Sequence, residues 1–280
     1  MNTLQAILFA FLQGMTELFP VSSLGHAVVL PAVLKWSVDQ SAPDFLPFIV
    51  ALHLGTAAAL LIYFWRDWFG FLWAVIGRGP KEIQGSERRL FALLVVATIP
   101  AVIVGYAFEK WFRLLFGTQA AAAFFLIVNG GMLFLGERLR RKAGDKPVDK
   151  LTWKAAVGIG IYQCAALIPG ISRSGATMVG GLLAGLRHAD AARFSFLMAT
   201  PVILGAAVLE VPKLMHEHGG SLGLSSLSVM AGVVAGLTAY LSVALLMRYF
   251  KRHDFEALDP FAYYCVLAGG GSLAWLVFAG

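Results

Sequence analysis

The sequence predicts an all-α polytopic membrane protein: six transmembrane helices plus two re-entrant helix pairs, arranged as an inverted-topology repeat. Three observations carry this. The 280 residues are 59% apolar and only 14% charged, with a mean hydropathy of +0.75, whereas soluble domains are about 25% charged. Uncharged runs long enough to cross a hydrocarbon core, roughly 20 residues, recur along the chain. The basic residues between them are distributed so as to fix which runs cross and which turn back.

In chain order, Met1–Trp36 is apolar but broken by Pro20-Val21-Ser22-Ser23. Phe45–Trp65, Leu90–Phe108 and Thr118–Gly136 each read as a span. Ala155–Ser172 is interrupted by Pro169-Gly170, and Ser174–Leu186 has only 13 residues, too few to cross. Phe194–Leu209, Ser221–Met247 and Pro260–Gly280 complete the six. The first of these is short at 16 residues, with Glu210 and Lys213 placed to reach the headgroups.

Of the 22 Lys and Arg residues, 17 fall in four segments: five in Arg66–Arg89, seven in Arg138–Lys154, two in Arg187–Arg193 and three in Arg248–Arg252. Such clusters mark cytoplasmic loops. Ser37–Asp44, Glu109–Gly117 and Pro212–Gly220 hold only Lys110, Arg113 and Lys213, with Lys35 nearby, and therefore face outward. The stretch Lys154–Arg187 is basic at both ends, so it enters and leaves on one side. By the same logic Met1–Trp36 enters and leaves from the outer side. Each half is then a re-entrant pair followed by three spans, and the odd number of spans inverts the second half. One membrane domain, 1–280, thus contains repeats of approximately 1–145 and 150–280. An echo of Gln13, Pro20, Ser22 and Ser23 in Gln163, Pro169, Ser172 and Ser174 supports the pairing, with one residue of slip. The likeness of Ala97-Thr98-Ile99-Pro100 to Ala199-Thr200-Pro201 joins spans that do not correspond, and reads as coincidence.

Several function classes are excluded. A net charge of +6 and pI near 9.4 report topology here, not nucleic-acid binding. Cys164 and Cys265 lie apart in apolar runs and read as packing residues. Met1–Thr16 lacks Lys and Arg, so the apolar start reads as part of the fold, not as a separate signal peptide. His53, Gln119 and Asn129 read as helix-packing or hydrogen-bonding groups. His216 and His218 read as a solvated loop pair, and the glycine pairs Gly181/Gly185 and Gly232/Gly236 have the spacing of close helix contacts.

Non-helical backbone at membrane depth is tolerated only where protein buries it or it lines a wet cavity. Two breaks therefore imply a shared cavity, and broken helices aimed at one centre offer free amides to an anion. In the first break Gln13 and Glu17 stand four apart on one helical face, and an ionisable Glu17 at depth is functional by default. His26, three residues after Ser23, joins it. In the second, Arg173 is the only cation between Lys154 and Arg187. An unpaired guanidinium at depth costs at least ~2.5 kcal/mol, so something anionic must meet it. Its planar fork suits phosphate oxygens, and Ser172, Ser174 and Thr177 add hydroxyls.

These two motifs resemble the undecaprenyl pyrophosphate phosphatases associated with bacitracin resistance in bacteria. The first stands here as Gln13, Glu17, Pro20, Val21, Ser22, Ser23, Gly25 and His26, the second as Pro169, Gly170, Ser172, Arg173, Ser174, Gly175 and Thr177. The resemblance covers essentially the whole chain. It implies hydrolysis of a C55 prenyl diphosphate lipid to the monophosphate, recycling the carrier for cell-wall synthesis, assisted by a divalent cation, Mg2+ or Ca2+. It further implies a multi-pass protein of the bacterial inner membrane, with a site opening to the periplasmic side and membrane lipids as neighbours. The family's first acidic position is Gln13 here, leaving Glu17 as the principal carboxylate, holding metal or acting as base. Arg173 would clamp phosphoryl oxygens with Gln13, Ser22, Gly170, Ser172, Ser174 and Thr177. Ser23 is the first choice of nucleophile, activated by His26, with His26 or water as rivals. A lipid flippase is the competing reading, since transporters share inverted repeats and broken helices. The oligomeric state is open, a homodimer included.

Overall fold

The computed structural model describes residues 2–36, 42, 45–78, 80–108, 118–140, 146–217 and 222–278. Among these the chain is helical, with no strand beyond one bridge between Lys146 and Leu186. The helices are α1 (Thr3–Thr16), α2 (Ser23–Val33), α3 (Phe45–Tyr63), α4 (Trp65–Val75), α5 (Lys81–Ala107), α6 (Gln119–Arg140), α7 (Trp153–Cys164), α8 (Arg173–Leu183), α9 (His188–Glu217), α10 (Ser226–Arg252) and α11 (Asp259–Phe278).

Six of them, α3, α5, α6, α9, α10 and α11, are long and apolar enough to cross a membrane. Each overlaps one of the six spans read from the sequence, with different ends. The 16-residue run Phe194–Leu209 understates its helix, because α9 extends over 30 residues. Its charged first turns stay helical by pairing: Arg187 with Asp190 at 2.9 Å, Arg193 with Asp67, and His188 with Glu137 at 2.8 Å. One element was missed. Within the basic stretch read as a loop, Trp65–Val75 forms α4, which buries Phe71 and Ala74 and packs on α5.

The four basic segments touch one another. Besides the Arg193–Asp67 pair, Arg89 donates to the Asp149 and Leu151 carbonyls, Arg140 pairs with Asp254, and His188 lies between Glu137 and Asp254. They form one face of the bundle. Of the loops read as outward-facing, Ser37–Asp44 and Glu109–Gly117 lie almost wholly outside the described residues, as does His218, whereas Pro212–Glu217, with His216, is not loop but the last turns of α9.

Between helices, burial from lipid supplies little drive, and close backbone approach does the work instead. A Cβ at Gly55 of α3 would stand 2.0 Å from the Gly232 carbonyl of α10, which only glycine permits. Two short helices dock in matching fashion. α1 meets α10 at Gly14, whose Cβ would lie 2.3 Å from the Ala235 carbonyl, and α7 meets α5 at Gly160, 2.3 Å from that of Ala97.

Candidate active site

Both polar segments are interruptions between short helices. α1 ends at Thr16, and α2 begins at Ser23 with Ser22 as its cap, its hydroxyl accepting from the Gly25 amide at 3.1 Å. α7 ends at Cys164, a short 3-10 turn covers Ala165–Leu167, and α8 begins at Arg173. There Ser172 accepts from the Gly175 amide, also at 3.1 Å. The serines do what N-caps do, satisfying an otherwise orphan amide.

The two breaks lie against each other. The Ser174 hydroxyl donates to the Phe19 carbonyl at 2.9 Å. Asn129, wholly buried on α6, donates to the Pro20 carbonyl at 3.0 Å and accepts from the Ser172 amide at 2.9 Å. One amide side chain thus satisfies a backbone group from each break. Gly170, at φ +101°, leaves no room for a side chain, because a Cβ would come within 2.4 Å of the Ala122 carbonyl. Ser22 holds the left-handed region at φ +68° despite its Cβ, a strained conformation of the kind that clusters at functional sites.

Glu17 sits at the centre. Ser23 Oγ donates to its Oε2 at 2.6 Å, Gln13 Nε2 approaches the same oxygen at 3.2 Å, and Arg173 pairs with Oε1 at 3.3 Å. Carboxylate and guanidinium are both largely buried, at 9% and 13% exposure. Each therefore depends on the other for charge balance. Thus Gln13, Glu17, Ser23 and Arg173 meet, contributed by both breaks.

His26 lies elsewhere than on Ser23. Its Nδ1 donates to the Ser22 carbonyl at 2.6 Å, and its Nε2 accepts from the Tyr264 hydroxyl at 2.8 Å, the rings stacking at 5.6 Å. Ser23 donates its hydrogen bond to Glu17 and not to His26 as expected, because helical geometry draws the imidazole back onto the carbonyl four residues earlier. His26 and Ser23 still line one narrow pocket between α1 and α2, walled by Phe9, Leu30 and Trp36. The hydroxyls expected to meet an anion hold the scaffold: Ser172 caps α8, Ser174 reaches Phe19, and Thr177 bonds Ser195 at 2.6 Å.

Three contributors escaped the sequence reading of chemistry: Asn129, Tyr264 and His53. His53 Nδ1 is 2.9 Å from the Ile49 carbonyl, and its Nε2 faces the Gln13 amide at 3.4 Å. A polar side chain inside an apolar run was the only signal for Asn129 and His53.

For a divalent cation, no group of three His, Cys, Asp or Glu occurs among the described residues. Glu17, with the Ser23 hydroxyl oxygen beside it, fits a hard ion that takes one carboxylate and completes its shell from substrate phosphates and water.

A family model described as "Bacitracin resistance protein BacA" matches residues 6–271. A protein of Granulibacter bethesdensis named undecaprenyl-diphosphatase is 57% identical over 291 residues, covering 100% of this chain and 98% of its own length. One of the same name from Acidiphilium cryptum is 54% identical, covering 99% of each chain. Another from Mycolicibacterium paratuberculosis is 44% identical, covering 99% of this chain and 98% of its own.

Proposed function

The chain belongs to the bacitracin resistance protein BacA family, and from that premise we infer that it hydrolyses undecaprenyl diphosphate to undecaprenyl phosphate and inorganic phosphate. It is an integral membrane hydrolase that returns the lipid carrier to cell-wall synthesis. The observation that carries the assignment of residues is the short Ser23–Glu17 hydrogen bond, 2.6 Å, beside the Arg173–Glu17 pair. It supplies nucleophile, base and anion clamp within one contact radius.

Ser23 Oγ attacks the terminal phosphorus while Glu17 takes its proton. The bond to the bridging oxygen breaks, and undecaprenyl phosphate departs with the electron pair. Arg173 shifts from Glu17 toward the transferring phosphoryl group, whose equatorial oxygens gather charge. Glu17 passes that proton to the departing bridging oxygen; water then attacks the phosphoserine and gives a proton to Glu17, which returns it to Ser23 Oγ as inorganic phosphate leaves. Gln13 orients Glu17, and His53 in turn orients Gln13. His26, its ring fixed by Ser22 and Tyr264, shapes the pocket that it lines together with Ser23. Gly170 and the caps Ser22 and Ser172 hold backbone amides against the phosphates, while Ser174 and Thr177 keep that cradle in shape. The apolar pocket walls at Phe9, Leu30 and Trp36 receive the first prenyl units.

A Mg2+ or Ca2+ ion on Glu17 would neutralise diphosphate charge when bound. Chelation should therefore stop phosphate release and added Mg2+ restore it; full activity in excess chelator would remove the metal from the scheme.

The two short-helix pairs are re-entrant and the halves inverted. Supporting this, α2 and α8 begin 150 positions apart, at Ser23 and Arg173, each behind a serine cap and two residues before a glycine. The matching docking of α1 on α10 and α7 on α5 supports it too. The basic face is cytoplasmic, so the centre opens to the periplasmic side of the plasma membrane.

Phosphate release from undecaprenyl diphosphate in detergent tests the assignment. Glu17→Gln and Arg173→Lys should each lower kcat at least ~100-fold while the protein elutes as a folded species. Near-normal turnover in either would remove that residue from the centre. Acid quenching of wild type should trap phosphate on Ser23; its recovery on His26, or on neither, would transfer the role of nucleophile.

A further inference from the structure

A second cavity, of about 650 Å3, opens on the basic face between the ends of α3 and α10 and the starts of α4 and α9. No residue of the hydrolytic centre lines it. Its carboxylates are already matched: Asp190 takes Arg187 at 2.9 Å, Asp67 takes Arg193, and Asp254 takes Arg140 at 2.9 Å. Among the described residues, Arg66 and Lys251 have no carboxylate partner. Arg66 instead rests its guanidinium 5.4 Å over the Trp65 ring, which holds the charge at the cavity rim without neutralising it.

The wall changes character with depth. Lys251 lies one helical turn beyond Met247, and Arg66 follows Tyr63 and Phe64, so the cations stand toward solvent and the apolar groups toward the bilayer. Met247, Phe250 and Phe64 are buried at 5%, 1% and 4% exposure and form a firm apolar inner wall. Surplus cations above an apolar wall match an amphiphile: a phosphate at headgroup level with a hydrocarbon stem below it. Basic pockets between spanning helices recognise lipid headgroups in this way. A free phosphate ion would gain nothing from the apolar part.

We propose that this cavity binds the phosphate headgroup of an anionic membrane lipid, at a site separate from the hydrolytic centre. Arg66 and Lys251 are the two residues that recognise the phosphate. The occupied cavity ties the ends of α3, α9 and α10 together on the basic face.

Native mass spectrometry of the full chain, released from micelles containing equal phosphatidylglycerol and phosphatidylcholine, tests this. Wild type should retain phosphatidylglycerol selectively. R66Q/K251Q should lose about thirtyfold in apparent affinity, and each single variant about fivefold, as expected from the attraction of each basic residue for an anionic lipid. Phosphate release from undecaprenyl diphosphate should be unchanged in all three, which also reports folding. E17Q should retain phosphatidylglycerol as wild type does. Equal retention by wild type and R66Q/K251Q would overturn the proposal, as would loss in E17Q, which would place the lipid in the hydrolytic centre. Displacement of the lipid by millimolar sodium phosphate would assign the cavity to a free anion and overturn the lipid assignment.

Discussion

At the scale of single residues, the centre is organised by what Glu17 must satisfy. A buried carboxylate needs donors on both oxygens, and Ser23, Gln13 and Arg173 provide them. Ser23→Ala should cost at least ~1000-fold in kcat with little change in KM, since a nucleophile acts only in the reaction step; steady-state phosphate release checks it. Tyr264→Phe removes one hydrogen bond to His26 and leaves the stacked ring. A bond of that kind is worth about 1 kcal/mol net, so kcat should fall by about tenfold or less, far short of the loss in Ser23→Ala. Glu17 and Arg173 were legible in the sequence because a formal charge in an apolar run has to be explained. Tyr264 was not, because a tyrosine near a helix start is unremarkable until His26, 238 residues away in sequence, is seen to face it. The Ser23–His26 pairing failed for a related reason. Spacing along a helix gives proximity, but it does not say that the backbone carbonyl of Ser22 will capture the ring first.

At the scale of elements, short helices with serine caps and glycine contacts hold the breaks in register. Asn129→Leu would leave the Ser172 amide without its partner and the Pro20 carbonyl with only the weak Cys265 thiol at 3.8 Å. Each buried orphan costs about 1–3 kcal/mol, so thermal unfolding in detergent should begin several degrees lower, with activity falling alongside. Gly55→Val should act differently. It would force α3 from α10 at a contact with no spare space, lowering the unfolding midpoint in the variant while any protein that remains folded keeps its KM. The six spans were readable because length and apolarity suffice to define them. The helix α4 was not, because its arginine, aspartate and tryptophans read as a loop until Phe71 and Ala74 are found buried against α5. The reach of α9 was hidden likewise, its first turns kept helical by partners distant in sequence.

At the scale of the whole molecule, sidedness is the main expectation. With Cys164 and Cys265 replaced by alanine, Arg78→Cys should react with an impermeant thiol reagent only after the membrane is opened, and Lys35→Cys should react in intact spheroplasts. Labelling of both from one side would overturn the inverted arrangement. The contacts between the breaks bear on motion as well. Asn129, Ser174, the Glu17–Arg173 pair and the close approach of Gly25 to Gly170 all bind the first half of the chain to the second. A carrier that shuttles cargo must let its halves rock apart, and each swing here would have to break all of these links together. Even when Arg173 turns from Glu17 to a phosphate, the Asn129 and Ser174 links still hold the two breaks together. What remains is a stationary cleft that has the lipid phosphate come to it, and so works as a catalyst and not as a gate.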